Sequence, residues 1–224
     1  MLGGLVSLMT TSVGGFVALK AARMEHRNWW NPLRSVSLDF AIGMMIAAAA
    51  FSLIGPAIEA SLLSHHELQI LAVVLIGILF IQLLGKMITL KNGQEKNRNY
   101  IFLIAILLHN FPEGLAAGLG ESELIWAIGI QNVPEGFVTM VSFVAMGLSP
   151  LVAFASTVAS GVIEMLGALT SEYLSGVLQF KPEIMAFAGG AMMSAASAEL
   201  WEKIKEAKFK KADFFAGAML ILLL

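Results

Sequence analysis

Long runs of mostly apolar, uncharged residues, separated by short polar breaks, constrain this chain more than any other feature. A helix that crosses the hydrocarbon core of a bilayer needs about 20 such residues. The runs lie at 1–20, 36–58, 67–90, 100–119, 123–147, 150–178, 183–201 and 212–224. They predict an all-α integral membrane protein with eight transmembrane helices, forming a single transmembrane domain over residues 1–224.

Composition supports a lipid environment. Hydrophobic residues make up 58% of the chain and charged residues 13%, which is more apolar surface than a soluble core of this size could bury. The first run begins at Met1 without a basic leader, so we interpret it as a retained helix and not as a cleaved signal peptide. The eighth run is short, so we expect either a thin bilayer there or further residues beyond Leu224.

Basic residues are sorted between the two sides of the predicted membrane. All but one of the 14 lysine and arginine residues fall in the first, third and seventh connections, at positions 20, 23, 27, 34, 86, 91, 96, 98, 203, 205, 208, 210 and 211. Because cytoplasmic loops are enriched in lysine and arginine, we expect these connections to face the cytoplasm. Both termini then lie outside, on a mildly acidic face that would attract cations.

The composition also excludes several classes of function. The chain has no cysteine, so a disulfide framework and a thiolate metal site are ruled out. No basic patch with interleaved aromatic residues suggests nucleic acid as a partner. A bound metal would have to use histidine, carboxylate or amide ligands.

A six-residue motif occurs twice inside the predicted membrane region, in the fourth and fifth helices. It is His-Asn-Phe-Pro-Glu-Gly at 109–114 and Gln-Asn-Val-Pro-Glu-Gly at 131–136. Residues four apart share a helix face, so the first residue of each motif should converge with its glutamate. Each proline lacks an amide donor and should free the carbonyl four residues earlier, kinking the helix. Each motif glycine should let another backbone come close.

Ionisable residues at membrane depth are functional candidates, because each costs about 2.5–3.5 kcal/mol on insertion scales. The sixth helix adds Glu164 as its one charge between residues 150 and 170. No lysine or arginine within these helices could pair with the acids, so the carboxylates should protonate or bind a cation. The candidate metal ligands are His109, Asn110, Glu113, Gln131, Asn132, Glu135 and Glu164, a nitrogen and oxygen set suited to divalent ions.

Five further residues have two interpretations each. Glu199, near the inner end of the seventh helix, either receives an exiting ion or extends towards the basic loop that follows. His65 and His66 form either a solvated outer turn or a capture point for arriving metal. Met44 and Met45 either pack within a span of small residues or offer a soft ligand at an entrance.

With the two motifs on consecutive helices, the sequence resembles the ZIP (Zrt-, Irt-like protein) family of divalent metal transporters. Gln131, where many members have histidine, is similar to the GufA-like branch. The resemblance extends along nearly the whole chain, including residues 43–56 and 189–200. It implies a 3+2+3 inverted-repeat bundle, in which helices one to three are related to helices six to eight around helices four and five. Such bundles suit alternating access.

The resemblance also implies two metal sites, which the motif glutamates bridge. The primary site would comprise His109, Glu113, Gln131 and Glu135, and the second Asn110, Asn132 and Glu164. This branch often has aspartate at the position of Asn132, so the second site should be weakened here. The loop at 91–100 is short and has no histidine, so regulation by a histidine-rich loop is not carried over. A homodimer is a further expectation.

Together these features predict a carrier of divalent cations, zinc first, with iron, manganese and cadmium as alternatives. The ion is the transported substrate, no resident cofactor is expected, and the predicted location is the cell membrane. An intramembrane metallohydrolase is the rival enzyme, although no His-Glu-x-x-His pair is present. A metal-gated channel or sensor would use the same ligands, and slow, saturable flux would distinguish the carrier from it.

Overall fold

The computed structural model describes residues 2–22, 30–62, 66–92, 110–119, 122–145, 147–173, 175–205, 207 and 209–223, almost all of them helical. The helices are α1 (Leu2–Ala22), α2 (Trp30–Ala47), α3 (Gly55–Leu62), α4 (Glu67–Asn92), α5 (110–119), α6 (Ser122–Ala145), α7 (Pro150–Tyr173), α8 (Lys181–Lys205) and α9 (Lys211–Leu222). A π-helical segment, Ala48–Ile54, joins α2 to α3. A 3-10 segment, Ser175–Phe180, precedes α8.

The predicted all-α membrane fold is confirmed. Each predicted run overlaps a helix of the described residues, and α2, the π segment and α3 together form the second. Five spans among the described residues are long and apolar enough to cross a membrane. The start of the fourth run, 100–109, lies outside the described residues. The predicted sixth run, 150–178, is longer than the helix, because α7 ends at Tyr173 and a 3-10 segment follows.

The π segment is a feature that hydrophobic length could not predict. The amide of Gly55 donates to the carbonyl of Ala50, five residues back, which marks the wider turn of a π helix. Pro56 follows and has no backbone N–H to donate to the preceding turn. The π segment therefore lies next to a position where the regular α-helical hydrogen bonds are interrupted. Such segments recur at functional sites.

The helices pack into two groups. The first helix group contains α1, α5, α6 and α7, because α1 packs along both α6 and α7, and α5 lies against α7. The second helix group contains α2, α3, α4, α8 and α9, in which α4 pairs with α8 and α2 with α9. Between the groups, Ala116, Ala117 and Ile128 join an apolar cluster with Met44 and Leu53. The boundary is therefore made largely of small and aliphatic side chains.

Four helix pairs meet at reciprocal glycines, where an added Cβ would overlap the backbone of the facing helix. The pairs are Gly14 and Gly136 for α1–α6, Gly114 and Gly167 for α5–α7, Gly77 and Gly190 for α4–α8, and Gly43 and Gly217 for α2–α9. The eight spans are, in order, α1, α2 with α3, α4, α5, α6, α7, α8 and α9. If spans one to three are exchanged with spans six to eight, and span four with span five, the α1–α6 pair becomes the α7–α5 pair. The same exchange converts α4–α8 into α9–α2. The packing therefore fits the predicted 3+2+3 inverted repeat.

An ion pair stabilises the second helix group next to the lysine-rich connection between α8 and α9. Asp39 of α2 is fully buried, and its carboxylate lies 3.0 Å from the ammonium of Lys203 on α8. The other oxygen accepts a hydrogen bond of 3.2 Å from the backbone amide of Lys210, just before α9. Three helices of one group are thus tied through a single carboxylate.

Candidate metal site

Helix α6 carries two consecutive amide side chains that reach different neighbouring helices. The Gln131 amide donates a hydrogen bond to Glu113 Oε1 on α5. The Asn132 amide donates to Glu164 Oε1 on α7. Successive residues of an α-helix are rotated by about 100°, so neighbouring side chains of α6 can contact two different helices. The three helices that hold the candidate ligands are therefore joined side chain to side chain.

The candidate ligands among the described residues are all buried. Glu113 and Glu164 are each 1% exposed, and Glu135 is 8% exposed. Glu113 is also near enough to Glu135 and Glu164 for their like charges to interact. Helices α5, α6 and α7 contain no lysine or arginine. A cation bound between these carboxylates would offset both the burial and the mutual repulsion of the three acids.

Three buried oxygen atoms in this cluster have no hydrogen-bond partner among the described residues. They are Glu113 Oε2, Gln131 Oε1 and Asn132 Oδ1. A buried acceptor left unsatisfied costs about 1–3 kcal/mol, so such atoms call for a physical reason. Carboxylate and amide oxygens are ligands that borderline and hard divalent ions accept. The donor set fits a divalent ion, although ligation itself remains a prediction.

Glycine contacts bring the backbones of α5 and α7 together beside Glu113 and Glu164. A Cβ on Gly114 would overlap the carbonyl oxygen of Glu164, and one on Gly167 would overlap that of Phe111. The backbone of α7 therefore lies directly against the motif. Gly136, the glycine of the second motif, makes the same kind of approach to Thr11 of α1. Both motif glycines thus act as their sequence context predicts.

Sequence reasoning missed the contribution of α1. The hydroxyl of Thr11 lies 3.4 Å from Glu164 Oε2, and Ser7, one turn earlier, also hydrogen-bonds this carboxylate. Both residues are buried. The available signal was a stripe of small and polar residues in α1, running through Gly4, Ser7, Thr11 and Gly14 at helical spacing.

The remaining predicted features fall in different places. His109 and His65 lie outside the described residues, whereas His66 is exposed just before α4. Glu199 is partly buried near the end of α8, and its role in ion exit stays a prediction. Helix α6 is continuous across Pro134. The kinks expected at the two prolines stay predictions as well.

A bundle of apolar helices with carboxylates and amides buried at its centre defines a multi-pass membrane protein that handles cations. The comparisons with known proteins make this specific. The family model of the ZIP zinc transporters matches residues 90–224. The zinc transporter ZIPB of Bordetella bronchiseptica is 33% identical over 223 residues, covering 89% of this chain and 71% of that protein. The zinc transporter GufA of Myxococcus xanthus is 34% identical over 174 residues, covering 67% of this chain and 68% of that protein.

The chain therefore belongs to the ZIP zinc transporter family. As a member it is an integral, multi-pass membrane protein that transports divalent metal ions, and the prediction made from the duplicated motif is confirmed. The similarity to GufA agrees with the expected branch. The family is one of transporters, so neither the metallohydrolase nor the channel interpretation is favoured.

Proposed function

We propose that this chain carries Zn²⁺ into the cytosol by alternating access, binding the ion where α5, α6 and α7 meet. One observation carries the proposal: two carboxylate–amide pairs, Glu113 with Gln131 and Glu164 with Asn132, lie buried side by side in helices without basic residues. The zinc transporters ZIPB and GufA support zinc as the first ion to test. Iron, manganese and cadmium are the competing substrates.

The two hydrogen bonds support the division into two sites. Glu113 and Gln131 belong to the primary site, which His109 and Glu135 would complete. The other bond lies within the second site, where Asn110 would join Asn132 and Glu164. Each bond joins residues of one proposed site. The amide hydrogens donate to one oxygen of each carboxylate, and rotation of an amide would turn its oxygen towards an arriving ion.

Burial explains how the site would select against a hydrated ion. Glu113 and Glu164 are almost inaccessible to water, so an ion must exchange its water shell for protein oxygen atoms to lie between them. Movement of the first helix group against the second, across their apolar boundary, would then open the site to one side at a time. The sequence has no nucleotide-binding loop, so ion gradients would drive the transport.

Orientation and assembly complete the proposal. The distribution of lysine and arginine supports a cell-membrane protein with both termini outside. Ions would then enter from the acidic face and leave at the basic face. Assembly as a homodimer rests on the family resemblance, and the mass of the purified protein in detergent, measured by light scattering, would test it.

Uptake of radioactive zinc into liposomes that hold the purified full-length chain tests the transport proposal. The variant Glu113→Gln keeps the size of the side chain and removes its charge. Glu59→Gln makes the same chemical change at an exposed glutamate of α3 and serves as the matched control. We expect saturable uptake by the wild type and by Glu59→Gln, and uptake by Glu113→Gln no greater than that of protein-free liposomes.

Two results would contradict this proposal. Equal zinc flux through the wild type and Glu113→Gln would remove the carboxylate from the pathway. Flux that rises linearly with zinc concentration, without saturation, would favour the channel. Adding unlabelled iron, manganese or cadmium to the same assay ranks the ions.

A further inference from the structure

Two hydroxyl side chains of α1 depart from the usual behaviour of hydroxyls in a membrane helix. Such hydroxyls usually bond to a carbonyl of their own helix, as that of Thr10 does to the carbonyl four residues earlier, at 2.7 Å. The hydroxyls of Ser7 and Thr11 instead reach the carboxylate of Glu164 on α7. Residues 7 and 11 are four apart and share one face of α1. These two hydroxyls therefore act between helices, on a predicted metal ligand.

Glycines of two other helices pack against Thr11. A Cβ on Gly161 of α7 would lie 3.3 Å from the Thr11 Cβ, and a Cβ on Gly136 of α6 would overlap the Thr11 carbonyl oxygen. Gly161 precedes Glu164 by three residues and shares its face of α7, so no side chain at position 161 comes between Thr11 and the carboxylate. Thr11 itself is 3% exposed. It is therefore held close to both α6 and α7.

The hydrogen bonds of Glu164 differ from those of Glu113. Glu164 accepts from Asn132 at Oε1 and from Thr11 at Oε2, and it also accepts from Ser7. Glu113, in contrast, has one oxygen, Oε2, without a hydrogen-bond partner among the described residues. A carboxylate has about four acceptor positions, and one that accepts from two helices cannot rotate without breaking a bond. Helices α1 and α6 together therefore orient Glu164.

Metal-ligating carboxylates are generally oriented by further hydrogen bonds, and loss of such a partner typically costs about 10–100-fold in metal affinity. We propose that Thr11, with Ser7 beside it, is a positioning residue of the second site, whose hydroxyl holds Glu164 in the orientation that receives the second divalent ion. This inference rests on the proposed function, which assigns Glu164 to that ion. It gives α1 a part in the site without making it a source of ligands.

Calorimetric titration of the purified full-length protein with Zn²⁺ tests this role, because it separates two ions by stoichiometry and affinity. Thr11→Val keeps the shape of the side chain and removes the hydroxyl, whereas Thr11→Ser keeps the hydroxyl and removes the methyl group. We expect Thr11→Val to weaken binding of the second zinc ion about tenfold and to leave the first unchanged. Thr11→Ser should bind both ions as the wild type does. Thr10→Val is the matched control, because its hydroxyl bonds within α1.

Ser7→Ala provides a second test, in which the other α1 hydroxyl is removed by a smaller change. It should also weaken the second ion and not the first, and it replaces Thr11→Val if that variant does not fold. Unchanged binding of the first ion reports that each variant is folded.

The outcomes separate this role from packing and from transport. Equal affinity for the second ion in the wild type, Thr11→Val and Ser7→Ala overturns the proposal. Equal losses in Thr11→Val and Thr11→Ser also overturn it, because packing of the complete threonine side chain would then be the cause. A wild type that binds one zinc ion per chain overturns it too, yet leaves transport through the primary site standing. If the second ion responds as expected but liposomes take up no zinc, the proposed transport function fails and the positioning role stands.

Discussion

Asn132 would set the charge of the proposed second site, because its neutral amide lies opposite the Glu164 carboxylate. The amide donates a hydrogen bond to that carboxylate, while Thr11 donates to the other oxygen. Neutral donors therefore hold both oxygen atoms of this carboxylate. An aspartate would reverse this balance, since two carboxylates repel each other without a metal and share one when it is present.

We therefore expect Asn132→Asp to bind a second divalent ion more tightly and to be less stable when empty. A tenfold gain in affinity corresponds to about 1.4 kcal/mol. Titration calorimetry with Zn²⁺ would measure affinity and stoichiometry, and thermal unfolding in a chelator would measure the stability of the empty state. Asn132→Ala is the control, because it removes the donor without adding charge. If Asn132→Asp changed neither the affinity nor the stoichiometry of zinc binding, the proposal that an ion occupies this site would be contradicted.

Residues of the site differ in how far sequence alone could reveal them. Glu113, Glu135 and Glu164 were predictable because a carboxylate in an apolar run is conspicuous wherever it occurs. Thr11 was not, because a hydroxyl residue in a membrane helix usually bonds to its own helix backbone. Its contact with Glu164 lies 153 residues away along the chain. Only packing between α1 and α7 brings the two together.

At the scale of helices, α5 and α7 cross in close backbone contact beside Glu113 and Glu164. Gly114 faces the Glu164 carbonyl, and Gly167 faces the Phe111 carbonyl. Alanine at position 114 would gain up to about 1 kcal/mol in helix propensity. It would lose about 1–3 kcal/mol or more to overpacking against backbone atoms that cannot rotate away. The loss should exceed the gain.

Gly114→Ala should therefore lower the melting temperature of the purified protein and reduce zinc uptake, as α5 and α7 move apart. Gly176→Ala is the matched control, because a Cβ there has no atom within 4 Å. Differential scanning fluorimetry and liposome uptake would measure the two effects. If both alanine variants unfold and transport like the wild type, close packing at Gly114 is not what positions Glu164.

Helix existence and helix detail were predictable to different degrees. Apolar length identified the spans, because a bilayer demands long uncharged helices. The π segment at Ala48–Ile54 depends on a local shift from four-residue to five-residue hydrogen bonding, which leaves no trace in hydropathy. The end of α7 was also misplaced, because the residues around Leu178 stay apolar after the helix has ended at Tyr173.

At the scale of the whole molecule, the two helix groups depend on glycine pairs whose two members lie on different helices. Each pair needs a partner elsewhere in the chain, such as Gly43 with Gly217 or Gly77 with Gly190. Hydrophobic periodicity contains no information on which helices pair. The inverted repeat was therefore predicted from the family resemblance and not from the residues. Orientation in the membrane, in contrast, rests on the charges alone.

The absence of cysteine makes that orientation directly measurable. His66 is exposed before α4, and Lys205 is half-exposed at the end of α8. Five predicted spans separate them, so the two positions must lie on opposite faces of the membrane. A single-cysteine variant at each position, treated in intact cells with a membrane-impermeant maleimide, should give labelling of His66→Cys alone. Lys205→Cys should react only after the cells are permeabilised.

The possible labelling results distinguish orientation from topology. Labelling of Lys205→Cys alone in intact cells would invert the protein and place both termini in the cytoplasm. Metal entering from the acidic face would then move outward, and the proposed direction of transport would be wrong. Labelling of both variants in intact cells would instead contradict the number of spans between α4 and α8. The wild type, without cysteine, gives the background, and zinc uptake by each variant checks that it is folded.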